Sequence, residues 1–411
     1  MGCECRNATT GVRAFAAADR RLVIAALGTS QIVGYGTLYY SYSVLAPGIA
    51  ADLGWSMQWV FGALSAALLA GGVAAPAVGR WADRAGAGLV MTVGSLAASL
   101  ALVACALAPG KTAFVLGLVA VEMASTLVQY SAAFVLLVQL DSIRAPRNIT
   151  YLTLIAGFAS TIFWPVTAVL HEHLSWREVF LVFAVLQLFV CMPIHAWLWS
   201  IAGPVHAHAR AALAPGAGSP PAAARRPRAF LLMAVGFALL SFVNSATLVH
   251  MLPALGALGL GAMAVAIGTL FGPAQVVSRL LNMIFGGELP APLLAVVSAA
   301  LQSSALVILL LTAPALPGAI AFAIVFGFGS GLASIVQGTL PLYLFGPVGY
   351  GGLAGRLASI RLILSATAPF VFAFLMQSWD VHPALAVTAC MGAGAVVAFL
   401  LVARLAPAEQ G

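Results

Sequence analysis

Long apolar runs, each about as long as a membrane is thick, follow one another along nearly the whole chain, with short polar loops between them. Hydrophobic residues make up 62% of the sequence and charged residues only 7%, whereas soluble domains carry about 25% charged residues. A bilayer covers this much apolar surface, because each spanning helix takes about 20 apolar residues. The runs are too long for barrel strands and lack a period of two, so the sequence predicts a helical membrane protein.

Windows of about 20 apolar residues predict twelve spans, six in each half of the chain. Between the halves, residues 200–228 are rich in Ala, Pro, Gly, His and Arg, which predicts a solvated linker. The other predicted domains are a tail at 1–21, six-helix bundles at 22–199 and 229–404, and a tail at 405–411. The predicted spans are 22–46, 57–78, 88–107, 112–140, 149–170, 179–199, 229–251, 262–285, 292–311, 316–344, 353–377 and 383–403.

The basic residues predict the orientation of the chain in the membrane. With the N-terminus in the cytoplasm, fifteen of the eighteen Lys and Arg residues fall at the inner face; Lys111 and Arg177 fall outside, and Arg279 lies within a span. This bias predicts that both termini are cytoplasmic. It also accounts for the net charge of +7 without a nucleic-acid partner, which would require basic residues clustered on one exposed face. The compact, Ala-rich chain with short outer loops suits a bacterial inner membrane.

The two halves of the sequence resemble each other. A shift of about 208 residues places Gly28 on Gly236, and residues 126–129 on residues 334–337. Two parallel six-helix repeats are a transporter architecture, with the substrate site near the membrane midplane. The predicted fold is therefore an all-α membrane protein of twelve transmembrane helices in two six-helix pseudo-repeats.

Polar residues at helical spacing mark the faces that point away from lipid. Glu122, Ser125 and Gln129 share one stripe of the fourth span, and polar residues within a bilayer usually face protein or water. Packing between helices is the alternative, since Ser and Thr also line helix contacts. The first, seventh, eighth and tenth spans carry similar stripes. The candidate substrate-binding residues are Gln31, Tyr35, Tyr39, Gln129, Asn244, His250, Arg279 and Gln337.

Two charged residues within spans have open roles. Glu122 is predicted to carry a proton or to be the counter-ion of a basic group, because an unpaired carboxylate there is unfavourable. Arg279 is predicted to bind an anion or to pair with an acid. Alternatively, it is equivalent to Arg80 and extends to the membrane surface from a helix end. His250 is either a titratable site residue or an inert interfacial one.

The loop after the second span is short and charged. Gly79 and Gly86 permit a tight reversal around Asp83 and Arg84. This pattern resembles the signature of the major facilitator superfamily, Gly-x-x-x-Asp-Arg/Lys-x-Gly, although the two basic residues that usually follow are absent here. Residues 52–56, His250 and Arg279 are also similar to the monocarboxylate-porter group and its bacterial relatives. That group often has Asp where this chain has Gln275, and the first-span Lys of its animal members is missing.

The resemblance implies a cavity lined by the first, fourth, seventh and tenth spans, and rocker-type alternating access. It also implies that Asp83 sits against the cytoplasmic start of the eleventh span, where the helix dipole is positive. The conformational switch implied in this way consists of Gly79, Asp83, Arg84, Gly86, Arg356 and Arg361.

The predicted function is secondary transport of a small organic solute, with a carboxylate as the candidate substrate class and protons as the candidate coupling ion. No phosphate-binding loop, metal-ligand spacing or nucleophile elbow is found, so neither an enzyme nor a cofactor is expected. We expect a monomer in the lipid bilayer. Two alternatives remain open: a membrane sensor with a transporter fold but no flux, and an exporter of amphipathic or flat aromatic compounds. The aromatic residues that suggest the exporter are Tyr35, Tyr39, Tyr40, Tyr42 and Trp164.

Overall fold

The computed structural model describes residues 20–212, 227–286 and 289–405, which form helices and no strand. Within these ranges, eleven helical stretches are long and apolar enough to cross a membrane. The predicted all-helical membrane architecture is thus confirmed. Residues 1–19 of the predicted N-terminal tail, 213–226 of the linker and 406–411 of the C-terminal tail lie outside the described residues.

The helices pack into two units. The first unit comprises the chain as far as residue 221 together with residues 347–359. Its first helix is extended by a π-helical turn, Gly36–Tyr40, and another such turn, Gln187–Cys191, interrupts the last. The helices up to the linker are α1 (Arg20–Tyr35), α2 (Ser41–Leu53), α3 (Met57–Ala85), α4 (Ala87–Ala106), α5 (Lys111–Val128), α6 (Tyr130–Leu140), α7 (Ala145–Ala156), α8 (Ala159–His173), α9 (Trp176–Leu186) and α10 (Met192–Ala212).

The second unit comprises residues 222–346 and 360–411. Helix α16 therefore begins in the first unit and continues in the second. The helices after the linker are α11 (Pro227–Leu255), α12 (Ala264–Thr269), α13 (Phe271–Phe285), α14 (Ala291–Thr312), α15 (Leu316–Phe345), α16 (Tyr350–Trp379) and α17 (Val381–Leu405).

The predicted eighth span differs most from its expected form. In place of one helix over 262–285, the chain forms the short α12, which follows α11 without a polar loop, and the 15-residue α13. Gly259 adopts a left-handed backbone angle, φ 83°, which glycine tolerates because it lacks a Cβ atom. The turn there is consequently made of apolar residues, and hydropathy alone does not reveal it.

Each unit has its own apolar core, and serine hydroxyls connect helices within it. In the first unit, Ser99 on α4 donates a hydrogen bond to the carbonyl of Ala184 on α9, at 2.9 Å. In the second, Ser303 on α14 donates to the carbonyl of Ala389 on α17, at 3.0 Å. Ser303 lies 204 residues after Ser99, and Ala389 lies 205 residues after Ala184. The internal repeat therefore extends from the sequence to individual packing contacts.

A charged cluster ties together the ends of three helices in the first unit. The Arg177 guanidinium donates to the carbonyls of Ala106 and Ala108, both at 2.8 Å, and pairs with Asp52 at 3.0 Å. Its guanidinium carbon lies 4.3 Å from the centre of the Trp176 ring. The two carbonyls lie at the C-terminal end of α4, where the helix dipole favours a cation. Arg177 thus links α2, α4 and α9.

Replacement of Arg177 by alanine is expected to lower the free energy of unfolding by about 1–3 kcal/mol, because two carbonyls and Asp52 lose a charged hydrogen-bond donor. Thermal unfolding of the purified protein in detergent measures this change. The matched control is Arg144→Ala, because Arg144 is 63% exposed and 3.9 Å from Asp141. Exposed pairs of this kind contribute about 0–1 kcal/mol, so equal losses in the two variants would contradict the assigned role of Arg177.

Candidate functional site

Three polar residues from three helices of the second unit form one hydrogen-bonded chain. Gln275 on α13 donates through Nε2 to the hydroxyl of Ser330 on α15, at 2.8 Å. That hydroxyl donates in turn to Oδ1 of Asn244 on α11, at 2.8 Å. The structure therefore brings together the predicted polar stripes of the seventh, eighth and tenth spans.

Arg279 lies one turn further along α13 and is 5% exposed. Its Nε donates to the hydroxyl of Ser334 at 3.0 Å and to the carbonyl of Gly331 at 3.3 Å, while its Nη1 has no hydrogen-bond partner. Gly331 allows α15 to approach α13 closely, because a Cβ atom there would meet the Gln275 carbonyl at 2.6 Å. Arg279 thus points at α15. It does not extend to the surface from a helix end, which the equivalence with Arg80 would require.

The described part of the second unit holds one carboxylate, that of Asp380. This carboxylate accepts the backbone N–H of Val381 and faces His382 at 3.9 Å, and it makes no ion pair with Arg279. A buried guanidinium without an acid is unfavourable, since its desolvation is not offset by a partner charge. Arg279 is therefore a suitable binding group for an anion.

His250 binds the backbone of α16 near a proline. Pro369 has no N–H, so the carbonyl of Ser365 lacks its usual helical donor; the hydroxyl of Ser245 on α11 donates to it at 2.7 Å. His250 Nε2 lies 2.9 Å from the carbonyl of Pro369, and its ring stacks on Phe372. The predicted site residue His250 thus has a packing partner at the kink. Gln337, which corresponds to Gln129 in the sequence repeat, is half-buried on α15.

In the first unit, Gln31 meets an interruption in the predicted fourth span. Helix α5 ends at Val128 and α6 begins at Tyr130, with Gln129 in an extended conformation between them. Gln31 is 1% exposed, and its Nε2 donates to the carbonyl of Val128 at 2.7 Å. Its Oε1 and the Nε2 of Gln129 have no hydrogen-bond partner. The predicted residues Gln31 and Gln129 are therefore neighbours.

Glu122 lies about two turns away along α5 and is 4% exposed. Its Oε1 has no hydrogen-bond partner. At Gly71, α3 packs so closely that a Cβ atom there would be 3.2 Å from the Glu122 carbonyl. Ser330, which corresponds to Glu122 in the second repeat, accepts a hydrogen bond from Gln275, whereas Gly71 offers Glu122 no side chain. Among the described residues of the first unit, this carboxyl is the buried acid, and its Oε1 has no hydrogen-bond partner.

Aromatic rings cluster near the π-helical turn of α1. The ring of Tyr35 lies 4.7 Å from that of Tyr130, between ring centres, and Tyr39 lies 5.3 Å from Tyr40. Tyr40 also meets Trp164 edge-on at 6.1 Å. Tyr39 is 44% exposed. Tyr42, by contrast, is buried and its hydroxyl donates to the carbonyl of Val60, so it belongs to the core rather than to this cluster.

A series of buried polar contacts along α1 is not predicted by the sequence. His195 on α10 is 1% exposed and lies 2.7 Å from the Ser95 hydroxyl and 3.0 Å from the Ser30 hydroxyl. About two helical turns after Ser30, the hydroxyl of Thr37 accepts a hydrogen bond from Gln187 Nε2 at 2.8 Å. These residues lie singly in apolar runs, so helical spacing gives no stripe to detect. An isolated histidine or glutamine in such a run was the available signal.

The Asp83 carboxylate binds the start of α16, a contact inside the first unit. It accepts the N–H of Gly351 at 2.8 Å and that of Gly352 at 2.6 Å. A Cβ atom at Gly79 would collide with the carbonyl of Gly351, and one at Gly355 with the carbonyl of Ala75. Free N–H groups and the positive dipole end make a helix N-terminus a carboxylate site.

Other predicted switch residues surround this contact. Gly86 ends α3 with φ 87°, a value that favours glycine. Arg84 and Arg356 are exposed. Arg361 lies beyond residue 359, in the second unit.

The family model of the Major Facilitator Superfamily matches residues 27–360. The chain belongs to the Major Facilitator Superfamily. This match confirms the resemblance seen in the residue 79–86 loop and the predicted major facilitator fold; the likeness to the monocarboxylate-porter group stays a prediction. None of the curated proteins matches the chain significantly.

Solved structures of superfamily transporters share the fold. The human organic anion transporter MFSD10 (TETRAN) has a TM-score of 0.65 and 15% identity, covering 98% of this chain and 100% of its own. FucP in the outward conformation has a TM-score of 0.67 and 13% identity, covering 92% of this chain and 98% of its own. The proton:xylose symporter XylE, bound to 6-bromo-6-deoxy-D-glucose, has a TM-score of 0.69 and 14% identity, covering 93% of this chain and 96% of its own. Members of this superfamily are transporters that bind small molecules, and this chain is a multi-pass membrane protein.

Substitution of Gly79 by alanine is expected to separate α3 from the start of α16, because the added methyl group collides with the Gly351 carbonyl. Hydrogen–deuterium exchange at the amides of Gly351 and Gly352 should then rise at least about tenfold, since each loses its carboxylate acceptor. The control is Gly62→Ala on the same helix, where an added Cβ atom meets nothing within 4 Å. Unchanged exchange in Gly79→Ala would show that the Asp83 contact does not depend on this close approach.

Proposed function

We propose that this superfamily member is a secondary active transporter of a small organic anion, most simply a carboxylate, working by rocker-type alternating access. The anion binds Arg279, with Asn244, His250 and Gln337 as further contacts in the second unit. Within the first unit, Gln31, Tyr35, Tyr39 and Gln129 are the proposed substrate-binding residues. Discontinuous helices and buried polar groups near the midplane are typical of transporter substrate sites.

The observation that carries this proposal is the environment of Arg279. The guanidinium is buried, two hydrogen bonds use its Nε, and Nη1 has no partner. A carboxylate accepts two parallel hydrogen bonds from a guanidinium, which makes arginine well suited to this ligand. The organic anion transporter MFSD10 is also among the structural neighbours, and its substrate class agrees with the proposal.

The purified protein should be stabilised against heat by a carboxylate but not by the matching neutral amide, for example by propionate and not propionamide, because ligand binding raises the melting temperature. Arg279→Gln should weaken this binding on the order of 10- to 100-fold, as expected for a lost charged hydrogen bond. Arg279→Lys should recover only part of it, because lysine lacks the planar fork.

Arg228→Gln is the matched control, since Arg228 is an exposed arginine of the same unit. Normal folding of Arg279→Gln with undiminished carboxylate stabilisation would refute the anion site. Stabilisation of the wild type by amides and acids alike would refute the anionic substrate class.

Glu122 is proposed to couple transport to protons. Its carboxyl is buried among apolar helices, and Oε1 lacks a partner that would hold a charge there. A buried acid of this kind can bind a proton on one side of the membrane and release it on the other. Symport and antiport are both compatible with this role.

Counterflow and gradient-driven uptake in proteoliposomes test the coupling. Wild-type uptake should change severalfold with an imposed pH gradient, whereas Glu122→Gln, which cannot ionise, should keep exchange but lose the gradient response. Glu172→Gln is the control, because Glu172 is exposed at the end of α8. An equal gradient response in Glu122→Gln and the wild type would remove Glu122 as the proton carrier.

The contact between Asp83 and the start of α16 is proposed to be a conformational switch, formed by Gly79, Asp83, Arg84, Gly86, Arg356 and Arg361. The carboxylate accepts two backbone N–H groups at the positive end of the helix dipole, and a movement of α3 away from the start of α16 would break both hydrogen bonds. The exchange measurement on Gly79→Ala tests whether the contact is stable in the resting protein.

A second candidate function is export of flat aromatic compounds, and the ring cluster around Tyr35, Tyr40 and Trp164 favours it. Aromatic side chains stack on aromatic ligands, and such pairs contribute about 0.5–1.5 kcal/mol beyond burial. An exporter of this kind would be stabilised by uncharged aromatic compounds independently of Arg279, which separates the two proposals in the same thermal assay.

The proposed setting is the bacterial inner membrane, with both termini in the cytoplasm and the protein acting as a monomer. The distribution of arginine in the sequence supports this orientation.

A further inference from the structure

The interruption between α5 and α6 has no cause in its own sequence. No proline or glycine occurs between Gly117 and Pro146, although most sharp helix breaks depend on one of these residues or on an inserted side chain. The Ala132 N–H, which would donate to the Val128 carbonyl in a continuous helix, donates to the Gln129 carbonyl at 3.0 Å. Gln31 Nε2 takes the vacated Val128 carbonyl at 2.7 Å, so an amide from α1 maintains the break.

The second repeat provides an internal comparison. Gln337 corresponds to Gln129, and α15 continues without interruption through that position. The position that corresponds to Gln31 is Leu239, which has no amide to offer. Only the repeat that carries the glutamine on its first helix has the broken helix, within the described residues.

The turn of α1 that carries Gln31 is held in place from its other side. The hydroxyl of Ser30 lies 3.0 Å from His195 Nε2, and the carbonyl of Ser30 accepts a hydrogen bond from the Cys191 thiol at 3.8 Å. His195 itself contacts Ser95 on α4. Such support fixes the direction of a binding side chain before its ligand arrives.

This arrangement leaves one acceptor and one donor without partners. Gln31 Oε1 is a hydrogen-bond acceptor, and Gln129 Nε2 is a donor. Both belong to uncharged amides, and Glu122, the nearest acid along α5, lies about two helical turns away. Gln31 is almost fully buried, whereas Gln129 is half-buried. Buried polar groups without partners are rare, and each calls for an explanation such as a ligand.

We propose that the Gln31-held break between α5 and α6 is a subsite for an uncharged polar group of the transported solute, a hydroxyl or a primary amide. Such a group both donates to Gln31 Oε1 and accepts from Gln129 Nε2, which a carboxylate or an ammonium group cannot do. The first backbone N–H groups of α6 have no acceptor within the helix, so they are further donors to the accepting oxygen of such a group. The inference rests on the proposed function and narrows its substrate class to organic anions that carry an additional hydroxyl or amide.

Thermal stabilisation of the purified full-length protein by matched acids tests the subsite. The pairs are propionate and lactate, butyrate and 3-hydroxybutyrate, and benzoate and 4-hydroxybenzoate, which differ by one hydroxyl group each. In the wild type, the hydroxylated member of at least one pair should bind about tenfold more tightly. Gln31→Leu should abolish this preference, which is a ratio of affinities within each pair and is therefore read independently of how tightly the simple acid binds.

Gln129→Leu serves as the second variant, because it removes the unpaired donor and leaves the bond between Gln31 and Val128 intact; it keeps the test valid if Gln31→Leu does not fold. Gln58→Leu, at an exposed glutamine, is the control. Binding of acids without a hydroxyl preference, or a preference that survives in the glutamine variants, overturns the subsite alone. Failure of all the acids to bind overturns the proposed function and the subsite together.

Discussion

A polar group within a bilayer has no water to bind, so it must find its partner inside the protein. This constraint explains most of the side-chain contacts described above. Where the backbone of a helix is irregular, a polar side chain from a neighbouring helix compensates: Ser245 binds the carbonyl released by Pro369, and Gln31 binds the one released at Val128. The polar residues of α1 and α11 are thus as much a part of the backbone hydrogen-bonding as of any substrate site.

The same constraint separates residues with complete hydrogen bonding from those without. Asn244, Gln275 and Ser330 satisfy one another, and His195 lies between two serines. Arg279, Glu122, Gln31 and Gln129 each keep at least one buried atom without a partner. The first unit holds a buried acid, Glu122, and the second a buried base, Arg279, each with one buried atom that has no hydrogen-bond partner. The proposed coupling and substrate roles follow from this division rather than from polarity alone.

Much of the architecture could be predicted from the sequence because hydropathy and helical spacing depend on neighbouring residues. Most of the spans, the repeat and the polar faces that carry Asn244, Gln275 and Ser330 follow from such local patterns. The break at Gln129 could not be predicted, because the amide that binds the Val128 carbonyl belongs to Gln31, 97 residues away from Val128. The apolar turn around Gly259 could not be predicted for a different reason, since no polar residue marks it. The role of His195 could not be predicted because this residue lies alone in a run that otherwise suggests lipid contact.

The contact of Asp83 with α16 has a consequence for how sharply it responds. Gly79, Gly351 and Gly355 bring two backbones together with no side chain between them. Long side chains can follow a moving partner, but the short Asp83 side chain has little freedom to do so, and hydrogen bonds of this kind weaken steeply with distance and angle. We therefore expect a small displacement of α16 from α3 to break the two Asp83 hydrogen bonds together, so that the proposed switch has two distinct states and few intermediate ones.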